Sequence, residues 1–450
     1  MSSSTCSAPM SRLLLVSALA SSLGSFLFGF DTAVVAGTTS SLREVFSLGE
    51  TQIGFAVSSA LFGAVAGAAA VGKPCERFGR VKTLFVLAVL YLVSVIGCAA
   101  AWDLTSLMVF RFIGGLAVGG SSVVSPMYIT EITPPARRGL LVAVSQLNIV
   151  AGILAALVSN YLIAGWIGLA PEAAAWRWMF AAEALPAVLF LLAVLPIPES
   201  PRWLAHRGRR AEALATLERL GHSGAGDELA CIEASFQGGK ASRESIFQLR
   251  YLKPLLLVFA LAAFNQLDGI NAILYYVTDI FRMAGFAETD AFKQSAVIGA
   301  VNLVFTLVGM ALIDRIGRRP LLLIGSVTFI LSHALAAWVF LTGAGGAWAV
   351  VAAAGIVASH AYSQGAVIWV CINELLPNAI RATGSSAACF VLWGLAILIS
   401  TAFPVMITAW GGSIFLIFAA LMAVQLFVVW AWMPETKGRS LEEIEGALDS

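Results

Sequence analysis

Apolar residues gather along this chain into blocks, each long enough to cross the roughly 30 Å hydrocarbon core of a bilayer. Twelve such blocks lie near residues 12 to 37, 53 to 72, 83 to 102, 107 to 130, 139 to 164, 176 to 197, 253 to 280, 294 to 313, 320 to 342, 347 to 375, 383 to 409 and 412 to 433. Short polar stretches separate them, apart from one long stretch, about residues 198 to 252. Each block is expected to be a helix, because backbone polar groups in lipid have to be satisfied within the segment. Composition agrees: 59% hydrophobic residues, 12% charged residues and a mean hydropathy of +0.88 exclude an ordinary soluble domain and indicate a polytopic membrane protein.

Twelve spans place both termini on one side. The loops on that side carry Lys73, Arg77, Arg80, Lys82, Arg137, Arg138, Arg315, Arg318 and Arg319 among other cations, against Arg43, Arg282 and Lys293 opposite, so both termini are expected in the cytoplasm. The net charge of +1 conceals this asymmetry and offers no basis for a nucleic-acid partner. Arg12 followed by Leu13 to Ala20 imitates a cleaved signal peptide, but the apolar block runs on to Gly37 and its removal would spoil the even span count. The six cysteines, Cys6, Cys75, Cys98, Cys231, Cys371 and Cys389, show no metal-ligand spacing. The histidines, His206, His222, His333 and His360, form no cluster along the sequence.

The chain repeats itself. Glu76-Arg77-Phe78-Gly79-Arg80 after span 2 returns as Asp314-Arg315-Ile316-Gly317-Arg318 after span 8. Glu131 precedes Arg138 as Glu374 precedes Arg381, and Pro198-Glu199 follows span 6 as Pro434-Glu435 follows span 12. Offsets of about 240 residues indicate two duplicated six-helix halves with a site between them near the membrane midplane. The expected division is 1–197, a linker at 198–252, a second half at 253–433 and a tail at 434–450. The linker alternates charged and apolar residues from Arg209 to Leu220 and from Asp227 to Phe236, which predicts short amphipathic helices on the cytoplasmic face.

Asp31 lies within the first block, in Phe28-Gly29-Phe30-Asp31-Thr32. An acid at the centre of a spanning helix costs roughly 2.5 to 3.5 kcal/mol on insertion scales, so such a residue usually faces a polar cavity, a partner charge or a proton path. Snorkelling or a permanent ion pair is the plainer alternative. Span 1 rises from the cytoplasm and span 4 descends from outside, so Asp31 and Arg111 both fall in the outer half of the membrane, where they can pair. Weakening such a pair lets the carboxylate take a proton.

Four motifs together, Gly72-Lys73-Pro74-Cys75-Glu76-Arg77-Phe78-Gly79-Arg80, Pro198-Glu199-Ser200-Pro201-Arg202-Trp203-Leu204, Gly269-Ile270-Asn271-Ala272-Ile273-Leu274-Tyr275-Tyr276 and Pro434-Glu435-Thr436-Lys437-Gly438-Arg439, resemble those of the sugar porters of the major facilitator superfamily. The resemblance covers essentially the whole chain and is nearest to the D-xylose/proton symporters. It implies an all-α membrane protein of twelve transmembrane helices in two pseudo-symmetric halves. It also implies a cytoplasmic gate of inter-helix salt bridges, for which Glu76, Arg77, Arg80, Glu131, Arg138, Glu199, Arg202, Asp314, Arg318, Glu374, Arg381 and Glu435 are the candidates. Arginines serving topology alone would need no carboxylates, whereas a breakable gate needs both signs. In proton-coupled members of that family an Asp in span 1 and an Arg in span 4 form the coupling pair, which assigns that role to Asp31 and Arg111.

A neutral sugar is matched by amides, hydroxyl groups and aromatic faces, which avoid burying charge. Gln146, Gln266, Asn271, Asn302 and Trp369, with Phe28, match substrate-contacting positions of sugar porters; Asn265, Tyr275 and Trp393 are further candidates. Polar residues bonding between helices are the alternative. There are departures: Asn265-Gln266 stands where the family has a Gln pair, and Leu392 replaces a Gln before Trp393. Asp268 is unusual as well. A second titrating group, an acceptor for sugar hydroxyls and a residue turned to the water-filled outer cavity all fit, the last best, and Gly269 beside it suits a hinged, broken helix.

The expectation is a proton-coupled importer of a neutral monosaccharide, with a facilitative sugar or polyol uniporter or a non-transporting sensor as alternatives. A drug exporter would favour a more apolar or anionic cavity, and a sensor a longer cytoplasmic tail. No nucleotide-binding loop or catalytic constellation is present, so no enzyme activity and no cofactor or metal are expected. The expected partners are a small-molecule sugar, a proton and the lipid bilayer. A monomer in the plasma (inner) membrane is expected, and the absence of any Asn-x-Ser/Thr acceptor suits a bacterial one.

Overall fold

The structure, a computed structural model, describes residues 11–134, 137–168, 174–222, 224–237, 248–377, 380–439 and 443–444. Among these residues all regular structure is helical. Twelve helices are long and apolar enough to cross a membrane: Arg12–Gly37, Glu50–Ala70, Arg80–Ala100, Leu104–Ile132, Ala143–Ile167, Ala175–Val194, Leu249–Met283, Glu288–Ile316, Arg318–Thr342, Ala347–Glu374, Thr383–Trp410 and Ser413–Trp432, here spans 1 to 12. Leu162, Leu185, Leu331 and Phe390 are exposed by more than half, as lipid-facing residues are. An even number of spans returns the chain to the end from which it started, here termed the terminal end.

Local chemistry sets the helix ends. Asp103 caps span 4, its carboxylate accepting from the Ser106 amide at 2.7 Å. Ser200 caps a helix at Pro201–His206, with proline at the position where a missing N–H costs nothing. Spans 3 and 9 begin with the same device. Gly79 (φ +97°, ψ 171°) and Gly317 (φ +105°, ψ 167°) turn the chain in a conformation open essentially to glycine alone. The following amides of Arg80 and Val81 donate to Glu199 at 2.9 and 3.2 Å, and those of Arg318 and Arg319 to Glu435 at 3.0 Å each. Each carboxylate thus sits on a positive helix N-terminus. A β-carbon on either glycine would stand 2.3 or 2.7 Å from that carboxylate, which accounts for the repeated Gly-Arg in physical terms.

Span 1 packs on spans 4 and 5, span 2 on span 4, span 3 on spans 4 and 6, span 9 on spans 10 and 12, and the first part of span 7 on span 11. Contacts between the first six spans and the last six run through spans 2 and 11, 5 and 8, and 1 and 7. Away from the terminal end, Thr401 of span 11 donates to Ser58 of span 2 at 2.8 Å and its carbonyl lies directly against Gly54. Gly299 of span 8 lies against Leu154 and Leu157 of span 5.

Two expected linker helices are present, at Arg210–Arg219 and Ala225–Gln237; the helix at Pro201–His206 and a short one at Thr39–Val45 were not legible. The linker is fastened to the first six spans. Trp203 Nε1 donates to the Glu76 carbonyl at 2.8 Å, Arg207 to the Arg77 carbonyl at 2.7 Å, and Ser11 to the Leu220 carbonyl at 2.7 Å, while a His222 ring nitrogen lies 2.9 Å from the Ile132 carbonyl. Span 7 is broken between Leu252–Leu267 and Ile270–Met283, as Gly269 foreshadowed, and span 10 contains a π-helical segment at His360–Gln364.

Candidate functional site

Asp31 and Arg111 meet. Both are buried, 8% and 1% exposed, and Arg111 Nη1 lies 3.5 Å from Asp31 Oδ1. Arg111 is steadied by the Val57 carbonyl at 3.4 Å and by the Phe180 ring, 5.6 Å from the guanidinium carbon, while its Nε has no hydrogen-bond partner among the described residues. Sequence reasoning passed over a third member. Glu183, 3% exposed at the joint between Ala175–Ala182 and Ala184–Val194, is close enough to interact by charge with both. Its signal was the one that singled out Asp31, an acid deep in an apolar span. Two buried carboxyl groups within charge range of one guanidinium, of which Asp31 alone pairs with it, hold one negative charge in excess when both ionise, so this set has room for a proton without leaving the arginine unpaired.

The break in span 7 assembles the amides. Gln266 Nε2 donates to Asn265 Oδ1 at 2.9 Å, and across the break Asn271 Nδ2 donates to Gln266 Oε1 at 2.5 Å. Asn265 and Gln266 are buried and Asn271 half-buried, leaving donors and acceptors at the edge of the chain of amides. The buried Tyr275 hydroxyl faces Thr32, next to Asp31. Phe28 and Trp393 approach to 6.0 Å between ring centroids, closing aromatic surface from both halves around the centre. Gln146 is half-buried on span 5, Asn302 is 4% exposed on span 8, and Trp369 is 42% exposed on span 10.

The charged motif residues form two clusters at the terminal end. Arg80 makes a two-pronged pair with Glu131, both bonds 2.8 Å, and Ser200 also donates to Glu131. Arg318 divides between Asp314 at 3.1 Å and Glu374 at 3.3 Å. These pairs join helices within a half. Burial pushes the Glu199 carboxyl up, with the amides of Ser200, Arg80 and Val81 pulling the other way. Glu76 offers its carbonyl to Trp203 and Arg207, Arg77 lies over the Phe78 ring, and Arg381 donates to the Leu376 carbonyl at 3.0 and 3.2 Å. Arg202 is exposed. The side chain of Arg138, and tail residues 440–442 and 445–450, lie outside the described residues.

One expectation is corrected. Asp268 does not face an outer cavity: it is 0% exposed, its Oδ2 lies 2.7 Å from His360 Nδ1, and its Oδ1 accepts from the Ile270 amide at 2.9 Å. His333 approaches the same residue from the other side, its Nε2 donating to the Asp268 carbonyl at 2.9 Å, but among the described residues the histidines form no metal-binding group. The partners come from spans 9 and 10, 65 and 92 residues away, a convergence that linear spacing does not encode.

Comparison with known proteins matches residues 17–448 to the family described as sugar (and other) transporter. The chain is 38% identical over 444 residues to the arabinose-proton symporter of Bacillus subtilis, covering 97% of this chain and 95% of the relative. It is 37% identical over 453 residues to the glucose transport protein of Synechocystis sp., covering 96% and 97%. Among solved structures, the inward-open conformation of the xylose transporter XylE from E. coli superposes with a TM-score of 0.87 at 33% identity, over 96% of this chain and 99% of that one.

Proposed function

The chain belongs to the sugar porter family of the major facilitator superfamily, and from that premise we propose that it is a proton-coupled symporter importing a neutral monosaccharide, a pentose such as D-xylose or a hexose, by alternating access. The observation that carries this reading is the buried Asp31–Arg111 pair with Glu183 beside it. A facilitator needs no titrating acid at that depth, and a symporter does. The amide chain of span 7 and the Phe28–Trp393 contact supply the surface a sugar requires, with Gln146, Asn302 and Trp369 as further contacts.

Coupling proceeds through charge. With sugar absent, Asp31 is paired with Arg111; when Tyr275 and Thr32 shift as sugar engages span 7, that contact loosens and the carboxyl takes a proton. Sugar and proton then cross together. One charge moved through 100 mV contributes about 2.3 kcal/mol, about 50-fold accumulation, and each pH unit adds about tenfold. The arginine clusters at the terminal end serve as the gate, and the excess of Lys and Arg there assigns that end to the cytoplasm. Halves at 1–197 and 253–433 rock about the site, and the protein acts as a monomer in the plasma membrane.

The test is proton uptake. De-energised vesicles containing the protein are given pentoses, hexoses and polyols in turn, and the pH of a weakly buffered medium is recorded. Alkalinisation with one sugar, lost in Asp31→Asn, is the expected result and identifies the substrate. Sugar-dependent quenching of tryptophan fluorescence with no alkalinisation by any compound overturns symport in favour of a facilitator or a sensor.

A further inference from the structure

The second half holds a buried acid that the coupling scheme does not use. Asp268 sits at the break of span 7, where Gly269 (φ +80°) leaves the helix and the Asp268 carboxylate restarts it by accepting from Ile270. Its other oxygen faces His360 Nδ1, at the first residue of the π-helical segment of span 10. π-Bulges and helix breaks are both places where a span bends. One hydrogen bond therefore ties the two bends to each other.

His333 of span 9 closes the back of the site. Its ring donates to the Asp268 carbonyl and lies among Phe329, Phe415 and Phe418 at 6.0, 6.2 and 5.5 Å, surroundings that suit a neutral imidazole. Among the described residues, the titratable groups facing Asp268 are thus His360 and His333. Tyr362, on the π segment, is turned to Thr328. Span 12 presents Phe418, and span 8 meets the segment through Gly309.

Asp268 is sealed, whereas the His360 side chain remains 17% exposed, so the imidazole is the route by which a proton reaches the pair. With one proton shared between carboxyl and imidazole the pair is neutral overall. Releasing that proton to water leaves a buried carboxylate without a counter-charge, which is unstable enough to pull the contact apart.

We propose that Asp268 and His360 form a second proton-binding site, separate from Asp31 and Arg111, whose single proton latches the span 7 break to the span 10 bend and so sets how freely span 7 swings. This rests on the transporter reading for its consequence but not for proton binding itself.

Two measurements test it on the full-length protein, with wild type, His360→Asn and the Asp268→Asn/His360→Asn double variant. The Asn amide nitrogen falls where Nδ1 stands, keeping a donor for Asp268 while removing the imidazole, and the double variant removes the Asp268 carboxyl as well, so that no titratable group is left in the pair. Equilibrium exchange of labelled sugar, which needs no net proton flow, is expected to rise at least about threefold in wild type as pH is raised from acid to alkaline, to be altered in His360→Asn and to be flat in the double variant. The double variant keeping the wild-type pH profile overturns the proposal. The second readout needs no sugar: the Tm advantage of purified wild type over the double variant is expected to shrink as pH rises and the shared proton is lost. A constant difference across pH overturns proton binding there even in a protein that exchanges nothing, and failure of symport alone leaves both measurements standing.

Discussion

The two halves of the molecule agree closely at the terminal end and differ at mid-depth. Glu199 and Glu435 receive the first amides of spans 3 and 9 at nearly equal distances, and Gly79 and Gly317 share one unusual backbone conformation. Deeper in, the first half opposes Asp31 and Glu183 with an arginine, while the second opposes Asp268 with an imidazole. Duplication has kept the parts that shape the backbone, where a carboxylate on a helix end has one good geometry. It has let the buried charges diverge, because an acid in a dry place needs a partner but not a particular one. A guanidinium stays charged at every relevant pH, whereas an imidazole can shed its charge.

The largest break in this comparison is expected from Arg111→Ala, which leaves Asp31 and Glu183 buried without a cation. Removing one partner of a buried pair costs about 3–5 kcal/mol, so uptake is expected to vanish and the detergent-solubilised protein to lose its cooperative melt. Arg111→Lys restores the melt in part. The equivalent disruption in the second half, Asp268→Asn, removes the buried acid and leaves no charge stranded, and is expected to leave a cooperative melt.

A smaller contrast separates the arginine clusters. Arg80 holds the 9%-exposed Glu131 with two 2.8 Å bonds, whereas Arg318, equally buried, divides between Glu374 at 3.3 Å, 26% exposed, and Asp314 at 3.1 Å, 82% exposed. Arg80→Ala is expected to cost about 1.5–3 kcal/mol, as for hydrogen bonds to charged groups. Arg318→Ala is expected to cost less than Arg80→Ala, because its bonds are longer and both its acids are more exposed than Glu131. Thermal melts of the two variants side by side decide this, and equal losses would count against it.

The smallest effect concerns Glu199. Burial holds its proton more tightly in the folded protein than the ordinary value of 4.5 implies. Such a carboxyl adds stability below the unfolded value, and that stability is lost as pH rises through the raised one. The Tm of wild type is therefore expected to fall by a few degrees, about 2–4 °C, from about pH 4.5 upward, and Glu199→Gln to flatten that slope.

The apolar blocks gave twelve spans because lipid imposes helix and length together, and the repeated Gly-Arg and Pro-Glu pairs marked the cradles. Asp31 and Arg111 were found from depth alone, since the direction of each span fixes which end of it faces out. The Asp268 cluster was out of reach for the opposite reason: rotation about each helix axis, which decides whether His333 and His360 face span 7, is set by packing and leaves no trace in spacing. Glu183 was readable by depth but hidden by the apparent continuity of its block, which the structure shows to be two short helices.

The linker's attachments bear on how such a chain was put together. Trp203, Arg207, Leu220 and His222 all reach residues of the first half or the segment leading into it. In terms of gene architecture, the extra segment behaves as an extension of the first copy rather than as a neutral joint between two. A division of the chain made behind Gln237 therefore leaves the first copy with its roof in place, whereas a cut at Pro198 would strip the Tyr128 hydroxyl of its carbonyl partner and Gly79 of the carboxylate that fills the turn.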